Sequence, residues 1–245
     1  MGKTFIADRL AYSIMGEKNK SRVMTVQFHQ SYSYEDFIMG YRPTESGFKL
    51  NHGAFYDFCK KAEIDPDSEY FFIIDEINRG NMSKIFGELF MLVEADKRGK
   101  ELRLLYSNEL FSVPKNVYLI GTMNTADRSL ALLDYALRRR FAFFEVSPGF
   151  ASGGFGEYRA RLNNPRFDAL VARVEALNRE IAEDPSLGKG FSVGHSYFCG
   201  LNPENVDARL PQIVEYELVP LLAEYWFDEP KKVEEQARKL RDALR

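Results

Sequence analysis

One stretch limits what this chain can fold into more than any other. Tyr70-Phe71-Phe72-Ile73-Ile74 is an unbroken apolar run that leads straight into Asp75-Glu76, with Asp65-Pro66-Asp67 upstream and Gly80 downstream. Apolar character without alternation, over so short a span and between turn residues, predicts a strand buried on both faces of a parallel sheet. The two carboxylates then stand at its C-terminal end, where open α/β sheets bind ligands. Nucleotide hydrolysis has a use for each: Asp75 would hold the shell of a Mg2+ ion, and Glu76 would accept a proton from, or orient, the attacking water. A strand that ends at the surface with two solvated acids accounts for the same residues, so the choice depends on the rest of the chain.

The 245 residues are 45% hydrophobic and 28% charged, enough for one large domain or two small ones of ordinary globular composition. No run approaches the roughly 18 apolar residues of a membrane span, and the first residues lack the basic-then-apolar pattern of a secretion signal. A cytoplasmic protein without a membrane segment is expected. Cys59 and Cys199 are far apart with no CxxC, and His29 and His52 lack partners at metal spacing, so neither a disulfide framework nor a zinc site is supported. A net charge of -3 gives no basic footprint for nucleic acid. Contact with DNA would fall to another segment, another subunit or a locally basic pore formed on assembly.

Near the start, Gly2-Lys3-Thr4 leads into a helical pattern through Phe5, Ile6, Leu10, Ala11 and Ile14. This is the last part of a phosphate-binding loop whose full form is GxxxxGK[ST]. In that role Lys3 would reach the β- and γ-phosphates, Thr4 would ligand Mg2+, and the helix N-terminus would face the anion. GKT alone recurs by chance; its place about 70 residues before a strand ending in Asp-Glu gives it weight.

A second strand is expected over residues 22–29, then a polar and aromatic connection, an exposed excursion over 40–53, and a helix over 54–62. After the central strand, Ser83 is placed to cap a helix over 84–94 that buries Ile85, Leu89, Leu92 and Val93. Residues 102–106 and 110–113 flank Ser107-Asn108-Glu109 as a hairpin. A further buried strand, 117–124, ends on Asn124, which would stand beside Asp75 and Glu76 and hydrogen-bond the γ-phosphate or the attacking water, or else serve a turn. Ser129 opens a helix that closes on Arg138-Arg139-Arg140, more cations than a helix C-terminus requires. At a subunit edge such a guanidinium can neutralise a neighbour's γ-phosphate. Residues 141–146 read as another strand and Ser147-Pro148-Gly149 as a boundary, so an α/β domain is expected over 1–148 and a helical one over 149–245. In the latter, Gly153-Gly154-Phe155-Gly156 reads as a loop, and helices are expected over 167–183, 211–225 and 231–244, the last with a solvated charged face. Between them, Lys189 and His195 lie in a glycine-rich segment that would either approach phosphate or form a structural loop.

Taken together, GKTFIADRLAY, FIIDEINR, GTMNTADRSLALLDYALRRRF and the GKGF and VGHSYF segments resemble the AAA+ motor domains of the McrB family, the GTP-hydrolysing subunits of modification-dependent (5-methylcytosine) restriction systems. The resemblance covers nearly the whole chain. It implies an AAA+ P-loop NTPase fold, a parallel sheet flanked by helices, followed by an all-α lid. It matches Gly2, Lys3 and Thr4 to the nucleotide-binding loop, Thr4 and Asp75 to the metal, and Glu76, Asn124, Arg139 and Arg140 to catalysis. Asp127 and Arg128 belong to the signature without a settled role. It further implies Mg2+ and GTP or ATP, a hexameric ring of self-copies, a partner similar to the McrC nuclease, and DNA reached through the complex. The family's DNA-reading domain, the first half of its phosphate loop and the strand before that loop have no counterpart in these residues. That last absence is expected to leave ladder groups unpaired, at about 1 to 3 kcal/mol each. Two alternatives stay open: a truncated, non-catalytic interaction protein, and an ATPase like those of the MoxR group.

Overall fold

Tyr70 to Asp75 form the central strand of a three-stranded parallel sheet, and four of its side chains, Phe71, Phe72, Ile73 and Ile74, are wholly buried. The computed structural model describes residues 2–124 and 135–245. These fall into two compact units, 2–144 and 145–245.

In the first unit, α1 (Lys3–Met15) precedes β1 (Val23–Gln27), α2 (Tyr34–Phe37), the antiparallel pair β2 (Met39–Thr44) and β3 (Gly47–His52), and α3 (Ala54–Glu63). Then come β4 (Tyr70–Asp75), α4 (Met82–Phe86), the two-residue strands β5 (Leu102–Arg103) and β6 (Leu110–Phe111), β7 (Val117–Gly121) and α5 (Tyr135–Arg140). The sheet order is β1-β4-β7, with Gln27 level with Asp75 and Ile74 level with Gly121. Side chains alternate across β4, so Phe72 and Ile74 enter one core while Phe71 and Ile73 face the other side. In that core Phe37 and Phe55 stack at 4.7 Å, and Phe72 meets both edge-on at 5.6 and 5.1 Å. Each such ring removed from water stabilises the unit by about 2 to 3 kcal/mol. On the opposite face Phe71 stacks on Tyr118 of β7 at 5.1 Å.

Several expectations are corrected here. Helix α1 buries Ala7 and Ala11, whereas Phe5, Ile6, Leu10 and Ile14 are 44–62% exposed. Small side chains let its backbone lie close to β4, and the larger ones fall outside that narrow stripe. The helix after β4 is capped by Asn81, whose side chain accepts from the Lys84 amide, and not by Ser83. It also stops early, because Gly87 turns left-handed (φ 53°) with the Tyr34 ring where a Cβ would stand; a 3-10 segment, Gly87–Val93, carries on. Ile85, Leu89, Leu92 and Val93 are buried as expected. The excursion is exposed over 41–49 but paired as β2-β3, and the 102–113 hairpin keeps only two residue pairs. Residues 141–146 carry no strand: Phe144 is 89% exposed, and no described strand lies beside β7 on its far edge to receive them.

The second unit is helical, with α6 (Gly153–Leu162), α7 (Pro165–Glu183), α8 (Val206–Ile213), α9 (Val219–Tyr225) and α10 (Pro230–Asp242) around a core that includes Phe167, Leu177, Leu218 and Trp226. Gly153-Gly154-Phe155-Gly156 is helical and not a loop, because the Ser152 hydroxyl caps the Phe155 amide at 3.3 Å. The helix expected from 211 begins earlier, at Val206, and Pro211 lies inside it. A proline there forfeits one backbone bond, and a widened turn, Val214–Leu218, follows before α9 resumes regular geometry. On α10, Lys232 leaves the expected solvated face, lying over the Trp226 ring and pairing with Asp184 at 2.6 Å. Among the described residues no helix is long and apolar enough to cross a membrane.

Candidate nucleotide site

At the N-terminus of α1, Gly2 adopts φ 81°, ψ 7°, and no other atom lies within 4 Å of where its Cβ would be. The glycine is therefore there for the backbone turn and not for space. That turn starts the helix at Lys3 and sets Thr4 in its first turn. The Thr4 hydroxyl donates to Asp75 Oδ1 at 3.0 Å, joining residues 71 positions apart. Hydroxyl and carboxylate oxygens are the hard donors that Mg2+ prefers, so this pair fits such an ion.

Asp75 closes β4 and Glu76 follows at φ 53°, ψ 45°, in the left-handed region that a glutamate rarely enters. The turn directs Glu76 away from the ladder, and its carboxylate accepts from Arg79 Nε at 3.3 Å. Just past β7, Thr122 reaches the same place: its hydroxyl donates to Asp75 Oδ1 and accepts from the Glu76 amide at 3.4 Å. Two residues on, the Asn124 carbonyl accepts from Asn78 Nδ2 at 3.3 Å, which ties the end of β7 to the turn after β4.

The arginines at the end of α5 are placed differently from one another. Arg138 and Arg139 are exposed. Arg140 turns inward, meeting Glu94 at 2.9 Å and lying 4.5 Å from the centre of the Phe90 ring. Lys97 and then Arg140 hold the Glu94 carboxyl below the usual carboxylate range. Asp127 and Arg128 lie outside the described residues, as does Ser129. In the second unit, Lys189 lies in a short 3-10 turn, and His195 Nδ1 accepts from the Gly149 amide at 2.9 Å with its ring edge-on to Phe150 and Phe155. Burial lowers the pKa of that imidazole, which suits a histidine held by structure.

Gly2, Thr4, Asp75 and Glu76 are thus gathered at one end of the sheet, with Asn124 tied to the same turn. Thr122 and Asn78 went unnoticed in the sequence. For Thr122 a signal exists: a parallel register that brings Asn124 near the acids also puts Thr122 level with Asp75.

The dynein-related subfamily of AAA domains matches residues 1–141, and the McrB alpha-helical lid domain matches residues 169–234. The type IV methyl-directed restriction enzyme EcoKMcrB subunit of Escherichia coli K12 is 51% identical over 98% of this chain and 55% of its own length. The BsuMI component YdiS, a type II restriction enzyme component of Bacillus subtilis 168, is 28% identical over 58% of this chain and 53% of its own. The chain therefore spans about half the length of the curated relatives it matches. By its matching domain the chain belongs to the dynein-related subfamily of AAA domains, with a lid of the McrB kind behind it.

Proposed function

We propose that this chain is the nucleoside-triphosphate-hydrolysing motor of a modification-dependent DNA restriction system, working on GTP in preference to ATP. The observation that carries the reading is the Thr4 to Asp75 hydrogen bond, which brings the start of α1 to the end of β4. Lys3, the first residue of α1, would engage the terminal phosphates, with the helix N-terminus facing the anion. Thr4 and Asp75 would hold Mg2+, which when bound offsets phosphate charge. Glu76 would take the proton of, or orient, the attacking water, and Asn124 would hydrogen-bond the γ-phosphate or that water.

The relatives' names support restriction as the setting, and the resemblance supports GTP, a hexameric ring, a nuclease partner similar to McrC, contact with DNA through the complex and a cytoplasmic location. Arg139 and Arg140 would act on a neighbour's nucleotide. Arg140 would have to leave Glu94 to do so. Division into a nucleotide-binding domain over 1–148 and a lid over 149–245 belongs to the same reading.

Turnover of GTP and of ATP in Mg2+, measured beside Glu76→Gln, tests it. Hydrolysis of GTP above ATP is expected in the wild type. The variant is expected to keep nucleotide binding and lose at least a hundredfold in turnover, the usual scale of general-base catalysis. A variant as fast as wild type would remove Glu76 from its role.

A further inference from the structure

Asp75 and Glu76 do not hold themselves in place. Thr122 is one of two buried polar residues among those described, at 8% exposure, and all its hydrogen-bonding groups are committed to consecutive residues of one turn. Its amide donates to the Ile74 carbonyl at 2.9 Å and its carbonyl accepts from the Ile77 amide at 2.9 Å. Its hydroxyl donates to Asp75 Oδ1 and accepts from the Glu76 amide at 3.4 Å. A hydroxyl has one proton and two lone pairs, so one donated and one accepted bond is a use that valine cannot reproduce. The preceding Gly121 completes the fit, because a Cβ there would come within 2.7 Å of Ile77.

Two consequences follow for the acids. Oδ1 of Asp75 receives both the Thr4 and the Thr122 hydroxyls, which fixes the rotation of the carboxylate and keeps Oδ2 out of those two bonds. Glu76 is held left-handed, a conformation that is unfavourable for a residue with a Cβ and persists where neighbours over-determine it. The bonds that the Glu76 and Ile77 amides donate to the Thr122 hydroxyl and carbonyl bracket that one residue. We infer that Thr122 is a positioning residue for hydrolysis, setting through its hydroxyl the carboxylate rotation of Asp75 and the left-handed turn that aims Glu76. This rests on the motor reading above and adds to it a residue that acts through Asp75 and Glu76.

The test compares Thr122→Val, which keeps shape and removes the hydroxyl, with Thr122→Ser, which keeps the hydroxyl and removes the methyl, both in the full-length protein with Mg2+ and GTP or ATP. Thr122→Val is expected to lower kcat at least tenfold with KM changed by less than about threefold, and Thr122→Ser to stay within about threefold of wild type. Amide hydrogen exchange supplies a readout independent of turnover: loss of the hydroxyl acceptor should speed exchange at Glu76 by about tenfold in the valine variant and not in the serine one. If the valine variant does not fold, Thr122→Ala takes its place with the same expectations. Wild-type kcat in the valine variant, a serine variant as slow as the valine one, or unchanged exchange at Glu76 would each overturn the inference. Wild-type protein that hydrolyses neither nucleotide would instead overturn the motor reading, and the role of Thr122 with it.

Discussion

Asp184 is where the second unit is most exposed to a single change. Its carboxylate follows the last residue of α7, is 6% exposed, and accepts from Trp226 Nε1 at 2.8 Å, Lys232 Nζ at 2.6 Å, and the amide and hydroxyl of Ser186 at 2.8 and 2.7 Å. Asp184→Ala strips all four donors of their acceptor at once. The indole N-H belongs to a side chain with 1% exposure, and leaving it unpaired costs about 1 to 3 kcal/mol. Lys232 is 32% exposed and has Glu229 at 3.7 Å, so its ammonium returns largely to water and adds about 1 kcal/mol at most. The expected total is about 3 kcal/mol, which at a urea slope of about 1.5 kcal/mol per molar lowers the unfolding midpoint by about 2 M. Trp226 is the single tryptophan of the chain, so its fluorescence reports this unit without labelling. Proton linkage gives a second handle. Bonds from Lys232, Ser186 and Trp226 hold the Asp184 carboxyl well below the usual carboxylate range. Its contribution is therefore complete above the unfolded value of about 3.9 and disappears as pH falls below that toward the folded value. The gap between wild type and Asp184→Ala should be full at pH 6 and shrink below about pH 4. Equal urea midpoints at pH 6, or a gap that widens on acidification, would refute the reasoning.

The arginines of α5 should separate by what each disturbs. Arg140→Ala is expected to lower the melting temperature of the first unit through loss of the Glu94 pair and the Phe90 contact, and Arg139→Ala is expected to reduce turnover. Mixing Arg139→Ala with Glu76→Gln protein should restore part of the activity; formed mixed rings without any recovery would place that arginine's action within its own subunit. Asn116→Ala should destabilise by about 2 to 3 kcal/mol in thermal unfolding, since the two N-H groups of its Nδ2 are shared among the carbonyls of Ala62, Asp65 and Ser68 at 3.1, 2.9 and 2.8 Å. A melting curve equal to wild type would show that water satisfies those carbonyls as well.

What could be read from the residues was whatever depends on local pattern. The apolar run at β4 has one physical solution, burial on both faces, and the acids that end it could only stand at the strand's C-terminal edge. Gly2-Lys3-Thr4 was legible as the end of a phosphate-loop pattern, given weight by its place about 70 residues before the strand that ends in Asp75-Glu76. Elements that depend on a partner were not legible. Residues 141–146 have the composition of a strand, but a strand exists only with a ladder beside it. The apolar positions of α1 imply a broad buried face, yet only the alanine stripe has something to lie against. Gly153 and Gly154 suggested a loop until the Ser152 cap supplied a reason for a helix. At the site, the places of the candidate residues at a strand end and a helix start were readable while the bonds among them were not, which is why Thr122 and the inward turn of Arg140 appear only in three dimensions.

The pairing of β4 with β7 also says where this protein can change length. Insertions between the two strands at an exposed turn, such as residues 99–101, can lengthen the chain without moving either strand. An insertion of one residue inside 117–122 is different in kind. Because side chains alternate, it would turn Thr122 to the opposite face of the sheet and set its neighbour level with Asp75. The stretch from Val117 to Asn124 should therefore accept substitutions at several positions and insertions or deletions at none, a pattern that a library of single-residue indels scored for nucleotide turnover would display directly.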